Sequence, residues 1–316
     1  MTRALRRSVP VLARTREELA AALDHDTAPR AVVMTMGALH QGHFDLVAEA
    51  ARRVGPDGTV VVTIFVNPLQ FAAGEDLDTY PRTLEADVAG IDATLSGQDG
   101  GPAVGRLVVF APTPEVIYPA GEPSVRLDPG PVATVLEGRT RPTHFAGVLQ
   151  VVLTLMHLTQ PRWALFGRKD AQQLAIVTSM VRDLAVPVEI VPVDIRREED
   201  GLAMSSRNSY LSAEQRQQAL ALSRALEAGR QAAAAGADAA GVRRAAYDVL
   251  ETAPGVEIDY VAVVDPVTFT ERAGAGLGLA PAEGVAPVAT RGEVLLALAA
   301  RLGTTRLIDN TLVTLG

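Results

Sequence analysis

Apolar positions fall into two patterns along the chain. Up to about residue 193, compact β-branched runs alternate with stretches that repeat apolar residues every three or four positions. The first run, Val32-Val33-Met34, breaks at Gly37 and gives way to Leu46, Val47, Ala50 and Ala51, which share one helical face. Residues 60–66 are apolar almost throughout, as strands buried on both faces of a parallel sheet are. Residues 107–110, 163–166 and 188–193 read as three more strands, and 15–23, 83–95, 145–158 and 170–184 as helices. Thr15 with Glu18 forms a capping-box pattern, and Thr143 stands where a helix would be capped. Strands alternating with helices imply right-handed crossovers and an α/β fold with a doubly wound parallel sheet.

Beyond a boundary near 194–200 the pattern changes. Ser212 with Gln215 opens a long Ala-rich helix over 213–235, and a second helix covers 239–251. Residues 256–264, 293–300 and 306–313 read as strands. The chain is therefore expected to form a larger domain over 1–195 and a smaller α+β domain over 196–316. Gly- and Pro-rich residues 97–105 and 271–290 read as a surface insertion and a loop.

Composition narrows the function classes. The formal charge of -8 argues against a nucleic-acid partner, since affinity for phosphate backbones comes from clustered Lys and Arg. With no cysteine there is no disulfide, no Cys-bound zinc and no thiol nucleophile. The basic start lacks the apolar core of a signal peptide, and the apolar run at 148–158 is too short to span a bilayer. The expectation is a soluble cytoplasmic protein that does not enter a membrane.

Candidate chemistry gathers where strands end. His40 and His43 bracket Gly42 between the first strand and its helix, where free backbone N–H groups and a helix dipole favour phosphate. Two histidines three apart could also bind a metal, although no third ligand is near in sequence, or lie on the surface as ordinary side chains. Gly167-Arg168-Lys169-Asp170 follows another strand, and Met204-Ser205-Ser206-Arg207 gathers anion donors at the domain junction. Gln70 and Gln173 could hydrogen-bond a small polar substrate. Asp87 is a candidate near magnesium, and Arg141 a carboxylate or phosphate partner. Each of these alone is as compatible with an ordinary solvated position.

Together the motifs resemble the pantothenate synthetase (pantoate–β-alanine ligase) family. They are residues 35–43 (TMGALHQGH), 64–71 (IFVNPLQF), 75–82 (EDLDTYPR), 136–138 with 141–145 (LEG, RPTHF), 166–173 (FGRKDAQQ) and 200–208 (DGLAMSSRN). Residues 301–310, RLGTTRLIDN, resemble the family's end.

The resemblance implies a Rossmann-like domain of the HIGH-motif nucleotidyltransferase superfamily, a smaller carboxyl-terminal lid and a homodimer. It implies two steps. The carboxylate of (R)-pantoate attacks the α-phosphate of Mg-ATP, giving pantoyl adenylate and pyrophosphate; the amine of β-alanine then attacks the acyl carbon, giving pantothenate and AMP. Carried over by position, His40, His43, Lys169, Ser205, Ser206 and Arg207 would be catalytic, with His43 the proton donor. Met36, Gly37, Ala38, Leu39, Gln41, Gly42, Gly167, Arg168, Asp170, Arg196 and Met204 would complete the ATP site. Gln70, Gln173, Asn67, Tyr80, Arg141 and Met36 would contact pantoate or β-alanine, and Asp87 would lie near Mg2+. Met34, Arg168 and Arg196 depart from the family's usual residues. A nucleotidylyltransferase with another acceptor and a non-catalytic nucleotide-binding protein are the alternatives.

Overall fold

The computed structural model describes residues 10–24, 27–72, 74–75, 77–95, 102–272 and 291–316. The expectations for residues 97–101 and 273–290 and for the basic start lie outside them. The chain divides into two compact units, residues 1–168 with 176–194, and residues 169–175 with 195–316.

The first unit is built on β1 (Val11–Ala13), α1 (Arg16–Leu23), β2 (Arg30–Thr35), α2 (Gln41–Val54), β3 (Thr59–Ile64), α3 (Leu84–Leu95) and β4 (Arg106–Phe110). Two single-turn helices, α4 (Pro114–Ile117) and α5 (Glu137–Thr140), precede α6 (His144–Thr159), β5 (Trp163–Gly167), α7 (Ala171–Asp183) and β6 (Glu189–Val193). All pairings are parallel and the strand order is β1-β4-β3-β2-β5-β6. The doubly wound sheet is thus present. Its order also contains β1, a three-residue edge strand too short to leave an apolar pattern.

The two faces of the sheet explain its continuous apolar runs. Ala31, Val33, Val60, Val62, Leu107 and Val109 pack in one cluster with Leu46, Val47, Ala50 and Ala51 of α2. The alternating residues Val32, Val61 and Val108 are fully buried as well, because successive strand side chains point to opposite faces. Thr15 and Glu18 cap α1 reciprocally, as their spacing predicts.

The second unit contains α8 (Ala213–Ala234), α9 (Ala239–Glu251), β7 (Glu257–Val264), β8 (Gly292–Leu302) and β9 (Thr305–Leu315). The three strands form an antiparallel sheet in the order β7-β8-β9. Its core joins Leu222, Leu226, Val242 and Leu250 of the helices to Leu296, Leu298 and Val313 of the strands.

Candidate active site

In the first sheet β3 lies on one side of β2 and β5 on the other. The winding reverses between β2 and β5, and open α/β sheets bind ligands at such a crevice, beyond the carboxyl ends of the strands. The segments that leave those ends are Met36–His40 after β2 and Arg168 after β5.

Met36–His40 is a shaped loop. Gly37 has φ +90° and Ala38 φ +52°, both in the left-handed region that favours glycine. A side chain on Gly37 would meet Asp87 Oδ2 and Ile64 Cγ2 at 3.3 Å each. Thr35 Oγ donates to the Thr63 carbonyl at 2.8 Å and accepts from the Gly37 N–H at 3.3 Å, tying the loop entry to β3. Asp87, only 3% exposed, accepts from Ala38 N at 3.1 Å, from Leu39 N at 2.8 Å and from the Thr83 hydroxyl at 3.1 Å. The sequence expectation sets Asp87 near magnesium; in the folded chain its carboxylate shapes the Met36–His40 loop. Both carboxylate oxygens are committed to loop donors, and no group of three or more His, Asp or Glu suited to a metal occurs among the described residues.

His40 is the N-cap residue of α2, and its imidazole centroid lies 4.1 Å from that of His43. The His40 backbone N–H donates to His43 Nδ1 at 3.3 Å. An Nδ1 that accepts carries no proton, so neutral His43 bears its hydrogen on Nε2 and presents that nitrogen as a donor. The His43 N–H donates to the His40 carbonyl at 2.8 Å, while the Gln41 and Gly42 N–H groups at the start of α2 have no intrahelical acceptor, so the same end suits an anion. Gln41 donates to Asp45 at 3.1 Å on the exposed side.

The turn after β3 is held from below. Asn67 is fully buried. Its Nδ2 donates to the Gly147 carbonyl at 3.0 Å, and its Oδ1 accepts from Leu69 N at 3.3 Å and from the Tyr118 hydroxyl at 2.9 Å. Burial pushes the Tyr118 phenol above its ordinary range, which keeps it a donor. Asn67 thereby builds the turn Pro68–Gln70. Gly147 lets α6 approach that turn, since a Cβ there would stand 2.1 Å from the Leu69 carbonyl oxygen. Gln70, 7% exposed, keeps its side-chain amide free of hydrogen bonds among the described residues.

Arg141 is likewise held by protein partners. It pairs with Glu75 through Nε at 3.0 Å and Nη2 at 2.6 Å, and Nη2 also donates to the Gln70 carbonyl at 3.2 Å. His144 Nδ1 lies 3.1 Å from that carbonyl. Burial works against the Glu75 charge, but Arg141 outweighs it and holds the carboxyl below its ordinary value of 4.5. Tyr80 is buried, edge-on to Phe71 with centroids 6.1 Å apart. Met36 and Gly42 are half-buried. Arg168 pairs with the exposed Asp194 at 3.2 Å.

In the second unit, Lys169 and Ser205 line one small cavity with Leu202, Ala203, Asn208 and Asp309. Lys169 is grouped with this unit although β5 delivers it. Its Nζ stands 3.8 Å from Asp170, which leaves it loosely paired. Residues 196–204 form a hairpin in which the Met204 N–H donates to the Arg196 carbonyl at 2.9 Å, so that carbonyl is engaged and the Arg196 residue is exposed. Ser205 Oγ accepts from Arg207 N at 3.3 Å, opening the turn Ser206–Tyr210. Gln173 sits half-buried in the first turn of α7. Thr35, Tyr118 and Gly147 carry no local signal that would single them out; each acts through a contact with a residue distant in sequence.

A parallel sheet with a shaped Gly loop and paired histidines at its winding reversal defines an α/β nucleotide-binding enzyme fold. A model of the pantoate–β-alanine ligase family matches residues 10–312, and the chain belongs to that family. Pantothenate synthetase of Streptomyces avermitilis is 47% identical over 352 residues, covering 96% of this chain and 98% of that relative. The crystal structure of pantothenate synthetase from Thermus thermophilus superposes with a TM-score of 0.80 at 42% identity, over 95% of this chain and 98% of that one. Pantoate-beta-alanine ligase from Francisella tularensis, complexed with beta-gamma ATP and beta-alanine, has a TM-score of 0.70 at 28% identity, over 96% and 98%.

Proposed function

We infer that this chain condenses (R)-pantoate with β-alanine, using ATP, through a pantoyl-adenylate intermediate. The observation that carries the reading is the His40–His43 pair: a tautomer-fixed donor on a phosphate-suited loop, in a chain that matches the ligase family over residues 10–312. The carboxylate oxygen of pantoate attacks the α-phosphorus and pyrophosphate leaves with the electrons of the broken P–O bond. The amine of β-alanine then attacks the acyl carbon, AMP leaves, and the amine gives up its proton.

Both steps place negative charge on phosphate oxygens, so fixed donors matter more than a protein nucleophile. We assign His43 Nε2–H, His40, Lys169, Ser205, Ser206 and Arg207 to those oxygens. Met36–Gly42, Gly167, Arg168, Asp170, Arg196 and Met204 are assigned to the rest of ATP. Gln70 and Gln173 are assigned to pantoate, with Tyr80 and Met36 packing beside it. The carboxyl-terminal unit is assigned the role of a lid. Magnesium would enter on the triphosphate and neutralise its charge there.

A coupled assay for AMP, omitting pantoate and β-alanine in turn, tests the reading. Pyrophosphate should appear without β-alanine but only when pantoate is present. Its release without pantoate, or with a mononucleotide in pantoate's place, would sink the assignment. No helix among the described residues is long and apolar enough to cross a membrane. We place the enzyme in the cytoplasm as a homodimer, a state that sedimentation equilibrium would check.

A further inference from the structure

The carboxyl-terminal motif ending Arg306-Leu307-Ile308-Asp309-Asn310 has no part in the assignments above. These five residues lie in the first half of β9. Asp309 and Asn310 are buried at 2% and 6% exposure, an unusual position for a carboxylate and an amide unless each has a dedicated partner.

One partner is Lys169, assigned to phosphate, and the other is Arg197, in the hairpin that leads to Ser205. Asn310 Nδ2 donates to the main-chain carbonyl of Lys169 at 2.8 Å, 141 residues away in sequence. Asp309 holds Arg197 in a two-pronged pair, Oδ2 to Nη1 at 2.6 Å and Oδ1 to Nη2 at 3.0 Å. Arg197 in turn donates to the Gly201 carbonyl at 3.1 Å and pairs as a β-bridge with Ala203, two residues before Ser205. The second prong also accepts the Asn310 N–H at 2.8 Å, which joins the two side chains into one unit.

We propose that Asp309 and Asn310 are positioning residues of the ligase reaction: Asn310 fixes the backbone from which Lys169 projects, and Asp309 fixes the hairpin that delivers Ser205–Arg207. The inference rests on the assignment of Lys169 and Ser205–Arg207 to ATP. The physical basis is the flexibility of lysine. A four-carbon side chain aims its ammonium usefully only when its own backbone is fixed, and Lys169 has just left the sheet for a single turn before α7. A hydrogen bond from a neighbouring strand to the Lys169 carbonyl supplies that constraint. Placing both tethers on adjacent residues of one strand sets the lysine and the serine hairpin relative to each other.

The test is a double-mutant cycle on the full chain, read by pantoate-dependent pyrophosphate release. Asn310→Asp replaces the donor with an oxygen facing a carbonyl. It should raise the KM for ATP and lower the rate of adenylation, together about tenfold for one lost hydrogen bond and the repulsion that replaces it. The KM for β-alanine in the second step should stay within about twofold. In a Lys169→Ala background the same change should have little further effect, because the group it aims is gone. Asp309→Asn should raise the KM for ATP in both backgrounds, because it acts through the hairpin.

Unchanged ATP kinetics in Asn310→Asp would overturn the proposal. So would an equal loss with and without Lys169, the signature of a general structural role. Should Asn310→Asp fail to fold, Asn310→Ala removes the donor without adding charge and carries the same expectations. Full activity in Lys169→Ala alone would instead refute the assignment of Lys169. In that case a changed KM for ATP in Asn310→Asp would count against the tether as drawn.

Discussion

Asp87 and Leu39 lie 48 residues apart, yet the Asp87 carboxylate accepts the Leu39 backbone N–H at 2.8 Å and the Ala38 N–H at 3.1 Å. One buried side chain thereby holds a loop whose Gly37 and Ala38 both have positive φ. Asp87→Ala should destabilise the protein by about 1–3 kcal/mol, the cost of leaving such a group unsatisfied. Asp87→Asn, with a single acceptor oxygen, should fall between. Denaturant melts would read the stability, and a magnesium titration at saturating ATP would read the role. A several-fold rise in the magnesium requirement of Asp87→Asn would return this residue to the metal.

His43 presents Nε2–H because its other nitrogen accepts from the His40 N–H at 3.3 Å. Removing one preorganised donor to developing phosphate charge is worth about 3–4 kcal/mol of transition-state stabilisation. His43→Ala, and separately Lys169→Ala, should therefore slow adenylation by about two to three orders of magnitude. Stopped-flow release of pyrophosphate measures this directly. Near-normal turnover would remove the residue from the mechanism.

Gln70 is buried, its main-chain carbonyl is held by Arg141, and its side-chain amide is the group assigned above to pantoate. Gln70→Ala should raise the KM for pantoate about tenfold, the equivalent of one lost hydrogen bond, and leave the KM for ATP nearly unchanged. An equal rise in both constants would point to collapse of the turn instead.

Gly147 faces the Leu69 carbonyl so closely that a methyl group would stand 2.1 Å from it. Gly147→Ala should therefore push the Pro68–Gln70 turn away from α6, costing about 1–3 kcal/mol in stability. The KM for pantoate should rise as Gln70 moves with the turn. A melt and a pantoate titration on the same preparation would check both effects.

The Glu75–Arg141 pair makes stability pH-dependent in a defined direction. Arg141 holds the folded Glu75 carboxyl below its ordinary value of 4.5. The unfolded chain therefore takes up the proton first as pH falls, and the pair's contribution is complete above 4.5 and lost below it. The Tm difference between the parent and Glu75→Gln should be constant at neutral pH and shrink as pH drops through the folded value. A difference that persists unchanged into strong acid would exclude this pair as its source.

Much of the first unit is legible in the sequence because its signals are local. The β-branched run at 59–64, the face formed by Leu46, Val47, Ala50 and Ala51, and the Thr15–Glu18 capping box each lie within or beside one helix or strand. The short edge strand Val11–Ala13 leaves no such signal, since three residues cannot display a period. Among the site residues, the histidines and Lys169 stand out because a charged or titratable group follows an apolar run. Asn67, Asp87 and Arg141 stand out for the same reason. Their polar side chains sit near the ends of elements, and a sequence does not say whether the partner is substrate or protein.

Residue order alone establishes the alternation of strands and helices, the family resemblance, and a set of candidate polar residues at strand ends. Which protein partners those residues take is settled only by the folded chain. Asn67 is held by Gly147, Leu69 and Tyr118, Asp87 by the loop it shapes, and Arg141 by Glu75. Gln70, by contrast, keeps its amide. A buried polar group must be satisfied, and its partner can lie 48, 66 or 141 residues away, as for Asp87, Arg141 and Asn310. Local patterns carry no record of such distant pairs, because tertiary packing is what brings them together.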